Sequence, residues 1–323
     1  RYILEKQLIQ HLKDLVSINS VNPDLSRLGQ GEKQIAEFIH NHFTKLNIES
    51  KVHIIKDDRC NTTAFLKGNN PEKILLLNGH LDTVGIEDMN DPFILKNDGD
   101  HLYGRGTYDM LAGCAIQMAL ATFFSKTPCP ISLAFTFVAD EENMSMGMEH
   151  LIEHYLPTLP SKPFLGIFME PTEEAIGISH KGYSWYELKI EGLAAHGSRP
   201  EQGINAIFPM EHALSELSKI NKELLDEEPH PHLGHATLHP GMISGGTAKS
   251  VIASESNIKW ERRTLPGESK QKLDDELQRV ISAVLKAPGD HKVTGSQVYN
   301  RPPNEVKNHS TIETLRKVAG NKD

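Results

Sequence analysis

His80 and Asp82 stand two residues apart in Asn78-Gly79-His80-Leu81-Asp82-Thr83-Val84, directly after the apolar run Ile74-Leu75-Leu76-Leu77. A short apolar run bounded by turn residues reads as a buried strand. The imidazole and carboxylate then sit at its C-terminal end, where open α/β sheets gather their sites. Further acids recur in similar settings: Asp109 after Gly104-Arg105-Gly106, Glu141 and Glu142 after Ile131–Val138, and Glu170 after Phe164–Met169. So many carboxylates in one place are costly unless a cation offsets them. One imidazole with several carboxylates suits zinc, cobalt or manganese rather than a thiolate-bound structural zinc. A carboxylate can bridge two ions about 3.5–4 Å apart, and Asp109 is the candidate bridge. Of Glu141 and Glu142, one can bind metal while the other stays free as a base. Asp82 would share the strand face of His80 and hold its second ring nitrogen.

The elements that must position these residues alternate. Helical spacing covers Tyr2–Val16 and Gly31–Leu46, and strands fit Lys51–Ile55, Thr63–Leu66 and the run ending at His80. A hairpin is expected around Asn97-Asp98-Gly99-Asp100, then a helix Tyr108–Phe124 with Asp109 in its first turn. Strand Ile131–Val138, helix Met146–Tyr155 and strand Phe164–Met169 complete a layered α/β unit over residues 1–177. From residue 178 to 300 the pattern changes to strand Tyr183–Glu191, helix Gly203–Leu225, strands Ala236–Ile243 and Val251–Thr264, helix Lys270–Lys286 and strand Lys292–Tyr299. That βαββαβ order predicts an inserted ferredoxin-like domain. Arg301-Pro302-Pro303 reads as its exit, with residues 301–323, including a helix His309–Val318, returning to the first domain.

Composition excludes several classes. The 323 residues carry a net charge of −9, which argues against nucleic acid as a partner. Nothing approaches the 18-residue apolar run of a membrane span. Cys60, Cys114 and Cys129 lack C-x-x-C spacing and leave an odd count, which favours a reducing cytoplasm over a disulfide framework. No signal peptide is visible, although the chain opens at Arg1. No G-x-S-x-G or P-loop occurs, and Gly104-Arg105-Gly106 lacks the third glycine of a dinucleotide fingerprint.

Asn78-Gly79-His80-Leu81-Asp82-Thr83-Val84, Gly104-Arg105-Gly106-Thr107-Tyr108-Asp109-Met110, Ala139-Asp140-Glu141-Glu142 and Met169-Glu170-Pro171, taken in order, resemble the di-metal aminoacylase and carboxypeptidase family, which includes acetylornithine deacetylase, succinyl-diaminopimelate desuccinylase and glutamate carboxypeptidase. Glu170-Pro171-Thr172 and Ser179-His180-Lys181-Gly182 lean toward the acetylornithine deacetylase branch. The resemblance implies that His80, Asp109 and Glu170 hold one ion, and that Asp109 bridges to a second that also takes Glu142. It implies Glu141 as general base and later acid, Asp82 as the residue orienting His80, and a cis Asp109–Met110 peptide. Ala195-His196-Gly197-Ser198-Arg199-Pro200 with Gly203-Ile204-Asn205-Ala206 resembles the family's lid motif, in which His196 would stabilise an oxyanion, often across a homodimer. Gly245-Gly246-Thr247 and Arg263 match the segment that binds a substrate carboxylate, a task suited to the planar guanidinium fork. From its own neighbourhood alone, Arg263 reads as a surface strand residue.

Three departures from the family pattern stand out. Leu111-Ala112 replaces a lysine–glycine pair after Asp109-Met110, and Ser250-Val251-Ile252-Ala253-Ser254 lacks the lid asparagine. The family also continues beyond the equivalent of Asp323 to a terminal histidine of the second metal site, so the C-terminal part is expected to be missing and that site incomplete. The implied reaction is hydrolysis of the amide bond of an N-acyl amino acid with two divalent ions, zinc first. The alternatives are a di- or tripeptidase or desuccinylase of the same family, and more distantly a metal-binding homologue without catalysis.

Overall fold

A computed structural model describes residues 2–173, 175–307 and 310–319. The chain divides into two compact units, Arg1–Glu173 and Glu174–Asp323. His309, at the start of the expected last helix, lies outside the described residues.

The first unit runs α1 (Tyr2–Val16), α2 (Lys33–Lys45), β1 (Glu49–Lys56), β2 (Arg59–Leu66), β3 (Asn70–His80), the hairpin β4 (Lys96–Asp98) and β5 (His101–Tyr103), α3 (Leu111–Phe124), β6 (Ile131–Val138), α4 (Met146–His150) and β7 (Leu165–Phe168). The sheet order is β1-β2-β6-β3-β7. β3 pairs in parallel with both β6 and β7, whereas β1 and β2 pair antiparallel at the other end. The register aligns His80 with Val138 and Asn78 with Phe168, so three neighbouring parallel strands end at one level. Ile35, Ile39 and Phe43 of α2 meet Phe135 and Phe137 of β6, with Met118 and Ala115 of α3 in the same core. Val138, Leu151 and Tyr155 form a smaller cluster.

α3 lies close on β3 because the contact is built from small residues. A Cβ on Gly79 would sit 2.9 Å from the tip of the Met110 side chain and 3.1 Å from Cys114 Sγ, so a larger residue would push those side chains aside. The close approach lets Cys114 Sγ donate to the His80 carbonyl at 3.2 Å.

The second unit contains β8 (Ser179–His180), β9 (Gly182–Glu191), α5 (Met210–Asp226), β10 (Thr237–Gly245), β11 (Glu255–Thr264), α6 (Lys270–Leu285), β12 (Lys292–Arg301), β13 (Asn304–Glu305) and α7 (Ser310–Val318). Its antiparallel sheet has the order β10-β11-β9-β12, as a ferredoxin-like βαββαβ unit requires. Residues of β9 alternate, so Tyr186, Leu188 and Ile190 join Leu217, Ile220 and Val280 of the two helices in one core. Arg262, fully buried, is held by Glu276 at 2.9 Å and Glu268 at 2.6 Å.

Expected and observed elements differ at their ends. The helix expected from Tyr108 begins at Leu111, because the Leu111 amide donates to the Gly106 carbonyl at 2.8 Å and closes a turn around the intervening residues. Asp109 is therefore in that turn and not in the helix. The Asp109–Met110 peptide is cis. The helix expected from Gly203 begins at Met210: Ile204 pairs with Leu193, and the Ala206 amide donates to Ala253 at 2.8 Å, so the preceding residues act as an extended stitch. The strand expected from Val251 starts at Glu255, and α4 passes into a π-helical turn over Leu151–Tyr155.

Candidate metal centre

Everything at the centre comes from the first unit. His80 ends β3, Glu141 and Glu142 follow β6, Glu170 follows β7, and Asp109 sits in the turn before α3. Ligand-type atoms of His80, Asp109 and Glu142 all lie within 4.8 Å of one another. His80 Nε2 is 2.9 Å from Asp109 Oδ1, 3.7 Å from Glu170 Oε2 and 3.9 Å from Glu141 Oε2. Three carboxylates thus converge on one nitrogen, with Glu142 in the same cluster.

The other face of the imidazole is fixed by the main chain. His80 Nδ1 is 2.9 Å from the Asp82 carbonyl oxygen, whereas the nearer Asp82 carboxylate oxygen is 3.6 Å away. An Nδ1–H donated to that carbonyl leaves Nε2 facing the carboxylates, an N–H donor to Asp109 in the metal-free protein and the nitrogen that would be free to ligate once a cation displaces that proton. The Asp82 carboxylate instead accepts from the backbone amides of Glu141 at 3.0 Å and Glu142 at 3.1 Å.

Crowding shows in the proton affinities. Burial disfavours a charge on His80, yet the hydrogen bond to Asp109 and the nearby Asp82, Glu170 and Glu141 carboxylates raise it to about 10. The same bond lowers Asp109. Desolvation first, then neighbouring carboxylates, push Glu142 and Glu170 up to about 7 and raise Glu141, against the partial relief from His80. Glu142 and Glu170, raised into the neutral range beside one imidazole and Asp109, belong to a donor set that a divalent cation fits: it would supply the compensating charge and displace protons.

Sequence reasoning overlooked the support beneath this centre. Asn22, Glu32, Asp82 and Asp140 have no exposed surface, and Arg59 only 4%. Arg59 grips Glu32 with two bonds of 2.8 and 2.9 Å, reaches Asp140 at 2.7 Å and Asp24 at 2.7 Å. Asn22 Nδ2 donates to Asp82 at 2.9 Å and to Asp140 at 3.1 Å. The sequence signals were weak: Asn22-Pro23-Asp24 reads as a turn, and Arg59 as a residue between hairpin strands.

The residues nominated in the second unit are not gathered in this way. His196 is exposed, its Nδ1 2.8 Å from Ser198 Oγ. Asn205 Oδ1 accepts from the Ile207 amide at 2.8 Å, and Gly246 takes a positive φ of 72° after Gly245 ends β10. Arg263 keeps 44% of its side chain exposed, lies 5.1 Å from the Tyr183 ring centroid and bonds Glu261 at 2.6 Å. No helix of the described residues is long and apolar enough to cross a membrane.

Comparison with known proteins agrees with this architecture. A model of the peptidase dimerisation domain of the M20 class matches residues 178–288, and one of peptidase family M28 matches residues 61–170. An acetylornithine deacetylase from Vibrio atlanticus is 30% identical over 290 residues, spanning 87% of this chain and 75% of that protein. A tripeptidase from Staphylococcus aureus superposes with a TM-score of 0.75 at 21% identity, over 98% of this chain and 82% of that one. A dinuclear metal-binding M20 peptidase from Bacillus subtilis gives 0.69 at 16% identity, over 99% and 80%. The chain belongs to the M20 family of metallopeptidases and deacetylases, metal-dependent hydrolases of amide bonds.

Proposed function

We propose that this protein hydrolyses the amide bond of an N-acyl amino acid, with an N-acetyl group as the first candidate, using divalent ions of which zinc is the first choice and cobalt or manganese the alternatives. The carrying observation is the convergence of Asp109, Glu141 and Glu170 on His80 Nε2, at 2.9, 3.9 and 3.7 Å, with Glu142 in the same cluster. His80, Asp109 and Glu170 would hold one ion, and Asp109 with Glu142 would take part in a second. Bound ions supply Lewis acidity, polarising the amide carbonyl and making water more acidic.

Glu141 then has the proton-transfer role. Its carboxylate is half exposed, so water and substrate can reach it, and its raised proton affinity suits a base that must hold a proton and release it. It takes the proton of the attacking water and delivers it to the leaving amine. Asp82 sets the backbone that carries Glu141 and fixes the His80 ring through its own carbonyl. From the second unit, His196 would donate to the developing oxyanion, while Arg263, with Asn205 and the Gly245-Gly246 turn, would receive the substrate carboxylate.

A homodimer through the second unit is part of this reading. It draws on the match to a dimerisation domain and on edge strand β10, where Met242 and Ile243 are 67% and 59% exposed. Cys60, Cys114 and Cys129 are buried and unpaired, which fits a cytoplasmic setting.

The test is turnover by zinc- or cobalt-loaded protein on a panel of N-acetyl amino acids, N-succinyl amino acids, dipeptides and tripeptides. Preference for N-acetyl substrates is expected. Preference for free-amine peptides would make the protein a peptidase of the same class, and no hydrolysis with any metal would leave a binding protein.

A further inference from the structure

The centre's general base sits on a loop whose shape is not its own. Glu141 and Glu142 lie between Asp140 and Ser145, both in the left-handed region with φ of 64° and 58°. The Ser145 amide donates to the Asp140 carbonyl at 2.5 Å, and the Met146 amide to the Asp140 carboxylate at 3.3 Å, so the loop is pinned at its stem. Its crown is pinned by Asp82, which accepts the amides of Glu141 and Glu142. Stem and crown are thus each held by a fully buried carboxylate, Asp140 and Asp82.

Two buried carboxylates repel unless donors bridge them. Arg59 reaches Asp140 at 2.7 Å, but no bond from it to Asp82 is among those of the described residues. Asn22 Nδ2 is within hydrogen-bond distance of both, 2.9 Å from Asp82 Oδ2 and 3.1 Å from Asp140 Oδ1. Asn22 is itself fixed: its amide donates to the Thr83 carbonyl at 2.9 Å, and its Oδ1 accepts from the Asp24 amide at 3.0 Å. We infer that Asn22 is a positioning residue for the reaction, the amide that locks Asp82 to Asp140 and so holds the Glu141–Glu142 backbone against His80. Among the described residues its side-chain amide donates to Asp82 and Asp140 and to no proposed metal ligand, and it acts through Asp82. The inference rests on the proposed role of Glu141 for its catalytic consequence, but its structural core does not.

The experiment replaces Asn22 in the full chain by two routes. Asn22→Asp keeps the shape and removes the donor, and Asn22→Ala removes both without adding a charge. Hydrogen exchange of the Glu141 and Glu142 amides is the primary readout. Loss of the bridge should lower their protection about tenfold or more while amides of β3 and α3 keep theirs. In the metal-loaded enzyme kcat should fall about 10–100-fold, the range for outer-sphere partners, with KM and metal content nearly unchanged.

A variant with unaltered protection at Glu141 and Glu142 overturns the inference, as does lowered protection with unaltered kcat. A uniform loss of protection across β3 and α3 would show a merely structural role and overturn it as well. If wild-type protein hydrolyses none of the panel, the substrate reading fails separately. The absorption spectrum of the cobalt-loaded protein then replaces kcat, and a shifted spectrum with locally lowered protection sustains the positioning role.

Discussion

The two units hold their nominated residues in opposite ways. In the first, His80 and Asp82 are buried, and Asp109, Glu141 and Glu170 lie 2.9, 3.9 and 3.7 Å from a common nitrogen. In the second, His196 and Arg263 are exposed, and among the described residues their side-chain hydrogen bonds run to neighbours two residues away, Ser198 and Glu261. A metal centre must be assembled by the fold, because carboxylates brought together repel and need rigid supports. Residues that grip a substrate keep their donors at the surface and meet their partner only when it arrives. The contrast predicts that changes in the first unit alter metal content or chemistry, whereas those in the second alter turnover or substrate affinity with metal untouched.

The sharpest test is Glu141→Gln. It should lower kcat about 10²–10⁴-fold, the usual share of a general base, with metal content unchanged by elemental analysis. Loss of metal in parallel would assign Glu141 to ligation and move the base elsewhere. Next in size, His196→Ala should cost about 10²–10³-fold in kcat, as removal of one oxyanion donor does, without shifting thermal unfolding, since the ring is exposed. A changed unfolding temperature with full activity would return His196 to the surface.

A smaller effect is expected from Arg263→Lys. Loss of the planar fork should raise KM about 10–100-fold, the equivalent of one charge-assisted bond, and leave kcat alone. Arg263 already has Glu261 and the Tyr183 ring as partners, so an unchanged KM would mean those contacts are its whole role.

The mildest test is pH. In metal-free protein Glu142 and Glu170 titrate near 7, above the 4.5 of a free carboxyl. A raised carboxyl stabilises the fold below its unfolded value, and that contribution is lost as pH rises from about 4.5 through 7. His80, raised to about 10 from 6.5, stabilises below 6.5 and loses its share as pH climbs toward 10. Thermal unfolding of the metal-free protein should therefore occur at lower temperature at pH 8 than at pH 5, and the gain on adding zinc should widen over the same range. A gain independent of pH would show that the ion binds without displacing protons, contrary to the crowding in the centre.

Much of the first unit was legible because its signals are local. The apolar run Ile74–Leu77 lies between two parallel neighbours and needs no alternation, and strand Ile131–Val138 stands as expected. The hairpin at Asn97–Asp100 and the βαββαβ order of the second unit follow from turn residues and period. Helix starts were misplaced where a long-range bond competes with helical propensity, as at Leu111 and Met210.

By itself, the sequence determined the kind of chemistry: one imidazole and several acids at strand ends, and the order of elements that carries them. It could also pair His80, the Glu141–Glu142 pair and Glu170 with their strands, since each follows an apolar run closely, whereas Asp109 follows a glycine turn. Tertiary structure alone decided that the Asp82 carbonyl, rather than its carboxylate, sits nearest His80, and that the carboxylate holds two amides more than fifty residues away. It alone recruited Asn22 and Arg59, which in sequence are an ordinary turn asparagine and an arginine between hairpin strands. The reason is physical: hydrogen-bond partners across a sheet are set by which strands become neighbours, and buried carboxylates take whatever donors that packing brings within reach.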